Sequence, residues 1–384
     1  MNGAELFVAS LKTGGVDTVY VVPGEETTEL FAAVQATDGI SFVLCRHEQS
    51  AAFMASVHGR LTGRPAVCLA TLGPGATNLV TGVADATLDF APLLAVSGQA
   101  GLERLGRESH QVIDLEALFV PVTKQSRTVL TGDAIPGAVA QALAIATAPR
   151  PGAVHLCLPE DIAAASVAHA PSPAGPPSPP AMASPEVMSE VARKIGAASR
   201  PVVLCGAGVV RADAGAAAKA FAEAAHLPVV TSFMAKGVLP AGHPLDAGLI
   251  GLPERARGDQ ALAEADLIVA VGYDAIEYPP SELSQGGQTP VVALAEAPMA
   301  RDAGWPIVAE AVGDLRHSLA ALAELIEPKA VPDVPKPDAD EETSFSHPRT
   351  LMRAVNADLQ QSDIVLSGVG NHKVWIAREV APKR

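Results

Sequence analysis

Cysteine is scarce and scattered in these 384 residues: Cys45, Cys68, Cys157 and Cys205 form no C-x-x-C pair. That excludes a zinc ribbon and a disulfide scaffold and fits a reducing cytosol, so a cytoplasmic location is expected. Positive charge is short as well. Lys and Arg number 27 against 42 Asp and Glu, a net charge of −15, whereas a duplex-binding surface needs clustered positive charge. No nucleic-acid partner is expected. No apolar run reaches about 18 residues without glycine, proline or a charge, so no membrane span is expected either. The opening MNGAELFVASLKTGG has no basic n-region and carries Glu5 inside a short apolar stretch, which does not read as a signal peptide. A phosphate-binding G-x-x-x-x-G-K-[ST] loop is also missing.

What the chain does have is apolar bulk. Hydrophobic residues make up 48% and charged residues 18%, enough for a sizeable core, and the length suggests two or three domains. Residues 1–168 alternate β-rich runs with stretches whose apolar positions recur every three and four residues. The runs are VDTVYVV (16–22), ISFVLC (40–45), PAVCLAT (65–71) and APLLAVSG (91–98). A helix is predicted over 132–148 and a strand over 153–158. Strands this hydrophobic, alternating with helices, imply an α/β fold with a doubly wound, mostly parallel sheet. PSPAGPPSPPAMASPE (171–186) is too rich in proline for helix or central strand, so residues 169–186 read as a linker. A second α/β unit fills 187–327, with strands predicted at PVVLCG, LPVVTS, ADLIVAVG and PVVALA and a closing helix over 312–326. Residues 328–344 form another linker, acidic and proline-rich. Residues 345–384 hold a helix, a strand at DIVLSG (363–368) and a short helix. That is too little for an independent domain and reads as the truncated start of a third.

The chemistry concentrates between Arg46 and Gln99. RHEQSAAFMA places Glu48 in the first turn of a helix, after a strand read as buried and ahead of Ala51, Ala52, Phe53 and Met54. Two readings are open. The carboxylate can simply complement the helix dipole. Alternatively it lies in an apolar crevice at the strand's C-terminal end, where open α/β sheets bind ligands. Desolvation there would raise its pKa and suit it to proton exchange with a bound heterocycle. TLGPGATN (71–78) also follows a strand and opens a helix; its glycines let the backbone close on a ligand or serve an ordinary turn. VPGEE (22–26) is a third turn at the same sheet edge.

In this order, VPGEETTELFAAV, FVLCRHEQSAAFMA and GRLTGRPAVCLATLGPGATNLVTGVADATLDFAPLLAVSGQ resemble the N-terminal, pyrimidine-binding domain of thiamine-diphosphate-dependent enzymes. Among these the likeness is greatest to the large subunit of acetolactate synthase. SHQVIDLEALFVPVTKQS (109–126), RPGAVHLCLPEDIA (150–163), RPVVLCGAGVV, LPVVTSFMAKGVLP and ADLIVAVGYDAIEY extend it over essentially the whole chain. The resemblance implies a transferase of branched-chain amino acid biosynthesis. Such an enzyme decarboxylates pyruvate and ligates the resulting enamine to a second 2-keto acid. By the same resemblance Glu48 is the catalytic glutamate, hydrogen-bonded to N1′ of the cofactor's aminopyrimidine. Pro23, Gly24 and Glu25 match one loop lining the pyrimidine, and Thr71, Gly73, Pro74, Gly75 and Asn78 match the other. Gln111 and Lys124 fall in the segment that borders the substrate channel in relatives, or are a surface polar pair on a long loop.

The resemblance also says where the chain departs. In the family, thiamine diphosphate is held through its diphosphate and Mg²⁺ by a third domain with a Gly-Asp-Gly segment, and no Gly-Asp-Gly occurs here. The site for diphosphate and metal is therefore expected to be absent from this chain. In relatives each cofactor lies across a dimer interface, which implies a homodimer or higher homo-oligomer and a chain that supplies the diphosphate domain. GAGVV (206–210) resembles the remnant of a dinucleotide fold, with Arg211 where a third fingerprint glycine would stand. FAD is left open and not favoured. Asp338, Asp340, Glu341 and Glu342 read as a solvated run rather than a metal site, and His58 as a helix-face residue. Two alternatives stand beside the main reading: another thiamine-diphosphate carboligase or 2-keto-acid decarboxylase, and a non-catalytic homologue acting as a binding or regulatory partner.

Overall fold

The computed structural model describes residues 1–171, 181–251, 257–332, 334 and 347–381. The acidic run at Asp338, Asp340, Glu341 and Glu342 and most of the first proline-rich stretch lie outside the described residues. The chain divides into two compact units, Met1–Ser178 and Pro179–Arg384.

Unit one contains the strands β1 (Thr18–Val21), β2 (Ser41–Leu44), β3 (Ala66–Ala70), β4 (Leu93–Gln99), β5 (Gln125–Thr128) and β6 (Ala153–Pro159). They form one sheet in the order β2-β1-β3-β4-β6-β5, every pair parallel. The sequence cause is visible in β3, where alternate residues enter different cores. Val67 and Leu69 pack with the helices Gly3–Thr13 and Ile135–Thr147, while Cys68 and Ala70 pack with Glu48–Thr62 and Pro74–Leu88. A strand buried on both faces is mostly apolar, so β3 reads as a continuous hydrophobic run, and β4 and β6 do so apart from the paired polar residues Ser97, Gln99 and His155. Each large aliphatic side chain buried there contributes about 1.5–3 kcal/mol. The second face is built of small residues, Ala51, Ala52, Ala55 and Ala76 among them. Its two helices therefore approach closely: a Cβ on Gly82 would fall 2.6 Å from that of Ala52.

Unit two contains β7 (Pro201–Cys205), β8 (Val229–Thr231), β9 (Asp246–Leu249), β10 (Leu267–Val271), β11 (Val291–Ala295) and β12 (Ile307–Val312). Their order is β12-β11-β10-β7-β8-β9, again all parallel. The strand order reverses between β7 and β10, the arrangement of a dinucleotide-binding sheet. No helix among the described residues is long and apolar enough to cross a membrane.

Several expectations need correcting. Strands β5, β9 and β12 were not foreseen, and all three are sheet edges. An edge strand is half solvated, so QSRT and DAGL lack the apolar run that marks a central strand, and Glu310 interrupts the one in IVAEAV. The helix expected over 312–326 begins at Leu315, capped by the Asp314 carboxylate, which accepts from the His317 N–H at 2.8 Å. β2, read as buried, is the exposed edge of the first sheet. DIVLSG is not a strand: residues 363–368 pair with no strand among the described residues, and Ile364 and Leu366 stand 86% and 89% exposed. Extended backbone becomes a strand only by hydrogen bonding to a sheet.

Candidate functional site

In unit one the chain leaves β1 toward β2 on one side and β3 toward β4 on the other. That reversal opens a crevice between the C-terminal ends of the two strands. Three strand-to-helix turns meet there. The turn after β1 brings Gly24 against Thr71, so closely that a Cβ on Gly24 would fall 2.5 Å from that of Thr71. The Thr71 hydroxyl donates to the Glu26 carboxylate at 2.7 Å, and the Gly24 N–H donates to Thr27 Oγ1 at 3.0 Å. Pro23 and Glu25 lie on this turn with their side chains exposed.

The turn after β3 passes through Gly73, whose φ of 53° and ψ of −118° only glycine adopts readily. Pro74 then opens the helix Pro74–Leu88, where its missing N–H costs nothing. A Cβ on Gly73 would lie 2.7 Å from the Gln111 carbonyl oxygen, so Gln111 is carried directly over this turn. The turn after β2 delivers Glu48 as the first residue of the helix Glu48–Thr62; the His47 ring caps that helix by accepting from the Gln49 N–H at 3.1 Å.

The two helices are joined at the crevice by one side-chain contact. Asn78 Nδ2 donates to Glu48 Oε2 at 3.0 Å. The other oxygen, Oε1, faces Gly75, where a Cβ would lie 3.5 Å from it and 2.7 Å from Thr71 Cγ2. Glu48 is half-buried rather than sealed in an apolar pocket. Beside it, burial holds the Cys45 thiol above its ordinary pKa, so this cysteine stands as a neutral thiol 3.9 Å from Met54 Sδ.

The structure thus gathers Gly24, Glu48, Thr71, Gly73, Gly75, Asn78 and Gln111 at one edge. Lys124 is not among them. It precedes β5 at the opposite, N-terminal edge, where Nζ donates to the carbonyls of Ala148 and Arg150 at 3.2 and 3.0 Å. Burial also lowers its pKa. In unit one its ammonium is thus spent on two backbone carbonyls, apart from the cluster around Glu48. His58 sits toward that far edge too, 3.4 Å from Tyr20 Oη and 3.7 Å from Asp17, partners the sequence did not suggest.

Sequence reasoning missed two residues that shape the site. Glu26 holds Thr71, and its only signal was adjacency to Glu25 in VPGEE. Gln99 is nearly fully buried at the end of β4. Its Nε2 donates to the Ile113 carbonyl at 3.1 Å, which anchors the loop that presents Gln111. No local pattern marks it. Among the described residues, no three His, Cys, Asp or Glu side chains gather where they could hold a metal ion.

Both units match known proteins in sequence. Residues 1–118 match the family described as thiamine pyrophosphate enzyme, N-terminal TPP binding domain, and residues 188–322 match thiamine pyrophosphate enzyme, central domain. The acetolactate synthase isozyme 1 large subunit of Escherichia coli is 32% identical over 98% of this chain and 69% of its own length. The acetolactate synthase of Bacillus subtilis is 33% identical over 98% of this chain and 69% of its own. For the acetolactate synthase large subunit of Corynebacterium glutamicum the values are 31%, 99% and 64%. The chain therefore spans about two-thirds of the length of the curated relatives it matches.

Proposed function

The chain belongs to the thiamine pyrophosphate enzyme family, among relatives named acetolactate synthase, and from that premise we propose that unit one holds the aminopyrimidine of thiamine diphosphate in the crevice between Gly24, Thr71, Gly75 and Glu48. The observation that carries this reading is the contact between Asn78 and Glu48. It fixes Oε2 and leaves Oε1 turned toward Gly75, which has no side chain to cover it. Gly24, Gly73 and Gly75 let the turns close on one another around the carboxylate, since a Cβ on Gly24 or Gly75 would meet Thr71 and one on Gly73 would meet Gln111.

Thiamine diphosphate bound there supplies a carbon nucleophile for a keto group and an acceptor for the electrons released with carbon dioxide. Glu48 holds and returns a proton at the pyrimidine nitrogen N1′. Asn78 keeps the carboxylate in one orientation, so Oε1 alone meets the ring. Gln111, carried over Gly73, borders the approach of the 2-keto acid. The reaction is the decarboxylation of pyruvate and transfer of its two-carbon remainder to a second 2-keto acid.

A diphosphate carries several negative charges and is normally met by a divalent cation and backbone donors. The family's Gly-Asp-Gly does not occur in these 384 residues. The proposal therefore includes a further domain outside them, holding the diphosphate and Mg²⁺ across a homodimer or on a partner chain. In the complete assembly, Glu48→Gln is expected to lower pyruvate turnover by about 10²- to 10⁴-fold, the usual contribution of a positioned acid–base group. Turnover that survives the substitution unchanged would remove Glu48 from the mechanism.

A further inference from the structure

Unit two has the strand order of a dinucleotide-binding sheet, in which a pyrophosphate lies on the glycine turn after the first strand, at the point of reversal. Here that turn is Gly206-Ala207-Gly208, between β7 and the five-residue helix Ala207–Arg211. Its N–H groups are already taken. The Gly208 N–H donates to the Gly272 carbonyl at 2.7 Å, and the Ala207 N–H donates to Glu277 Oε1 at 2.9 Å. The same oxygen accepts from the Asp274 N–H at 3.0 Å, while the Ser232 hydroxyl donates to Glu277 Oε2. One carboxylate thus ties together the C-terminal ends of β7, β8 and β10, across the reversal.

Space is closed as well as charge. A Cβ on Gly206 would fall 2.5 Å from Glu277 Oε1, and one on Gly208 would fall 2.7 Å from Gly272 Cα. Gly272 itself has φ 55° and lies against Gly208 and the Val209 nitrogen. These glycines serve the packing of one turn on another rather than the approach of a ligand. The ribose side is unprepared too. A dinucleotide fold ends its second strand in an acidic residue that takes the ribose hydroxyls. Here β8 ends in Thr231, and the next residue, Ser232, is committed to Glu277.

We infer that Glu277 is a built-in substitute for a phosphate group and that unit two takes neither FAD nor a nicotinamide dinucleotide on this turn. A pyrophosphate placed there would have to expel a half-buried side chain held by three donors. Burial pushes the Glu277 carboxyl above the ordinary carboxylate range, against the pull of those donors. Charged or neutral, the side chain fills the place. The inference concerns unit two alone and stands or falls independently of the reading of Glu48.

Two measurements on the full chain test it. Equilibrium dialysis against FAD and NAD⁺, each at about 100 μM, is expected to leave neither retained, whereas a micromolar site would be nearly saturated. Retention of either by the wild-type chain in stoichiometric amount overturns the inference. Hydrogen exchange then reads the turn itself. The amides of Ala207 and Asp274 should exchange at least about tenfold faster in Glu277→Ala than in wild type or Glu277→Gln, which keeps an acceptor oxygen. Equal exchange in a folded Glu277→Ala shows that the carboxylate does not occupy the turn and overturns the assignment. If Glu277→Ala does not fold, slow exchange of both amides in wild type and in Glu277→Gln supports the assignment, and fast exchange in wild type defeats it.

Discussion

His155 shows how a single residue couples sequence to stability. It lies fully buried on β6, between Ser97 of β4 at 2.9 Å and Ser126 of β5 at 2.8 Å, with Phe119 stacked on its ring at 4.0 Å. Both ring nitrogens are paired in the neutral form, one donating and one accepting. Protonation would leave a charge where no solvent reaches, and burial accordingly pushes the pKa down to about 3. The unfolded chain takes up that proton near pH 6.5. Stability from His155 is therefore complete above about pH 6.5 and falls as the pH drops toward 3, by at most about 1.4 kcal/mol per pH unit. Thermal melts between pH 7 and pH 5 should show a steeper loss for wild type than for His155→Gln, which retains one donor and one acceptor. Parallel slopes would mean that the buried imidazole is not the proton-linked group.

At the scale of the element, β2 and the helix Glu48–Thr62 leave apolar side chains exposed among the described residues. Val43 is exposed on the face of the edge strand that the helix covers, and Met54, Val57 and Leu61 are exposed on the helix, at positions i, i+3 and i+7. Leu61 is 81% exposed. Helical spacing of this kind normally marks a buried face, and contiguous exposed apolar surface marks association. The exposed surface flanks Glu48 and fits the proposed homodimer. Leu61→Glu would bury an unpaired carboxylate in such an interface, at a cost of several kcal/mol. Light scattering after size exclusion should then show a shift from dimer to monomer, with the melting temperature of unit one little changed. An unaltered mass would place the interface elsewhere. The same edge position explains why β2 was misread: its composition is that of a core strand because it is apolar, yet no local feature says which side of the sheet has no neighbour.

For the whole molecule, the proposal divides the cofactor between parts. Unit one would hold the pyrimidine, and the diphosphate would be held outside these 384 residues. Calorimetric titration of this chain with Mg²⁺ present should therefore find thiamine and thiamine diphosphate within about threefold of one another in affinity, a difference below 1 kcal/mol. Binding of the diphosphate about a hundredfold tighter would mean that a diphosphate site exists on this chain. Much of the architecture could be read in advance from one physical source. A parallel sheet buried on both faces imposes apolar runs on its central strands, and the helices between them repeat every three to four residues, so both patterns are local. The turns VPGEE and TLGPGATN, and Glu48 behind its strand, were legible for the same reason, as was the resemblance of the whole chain to a known family. Local pattern says nothing about which edge of a sheet a loop occupies or which distant groups meet. That Asn78 orients Glu48, that Lys124 lies at the N-terminal ends of the strands, and that Glu277 closes the glycine turn of unit two depend on strand order. Strand order arises only when the separate apolar runs pack against one another.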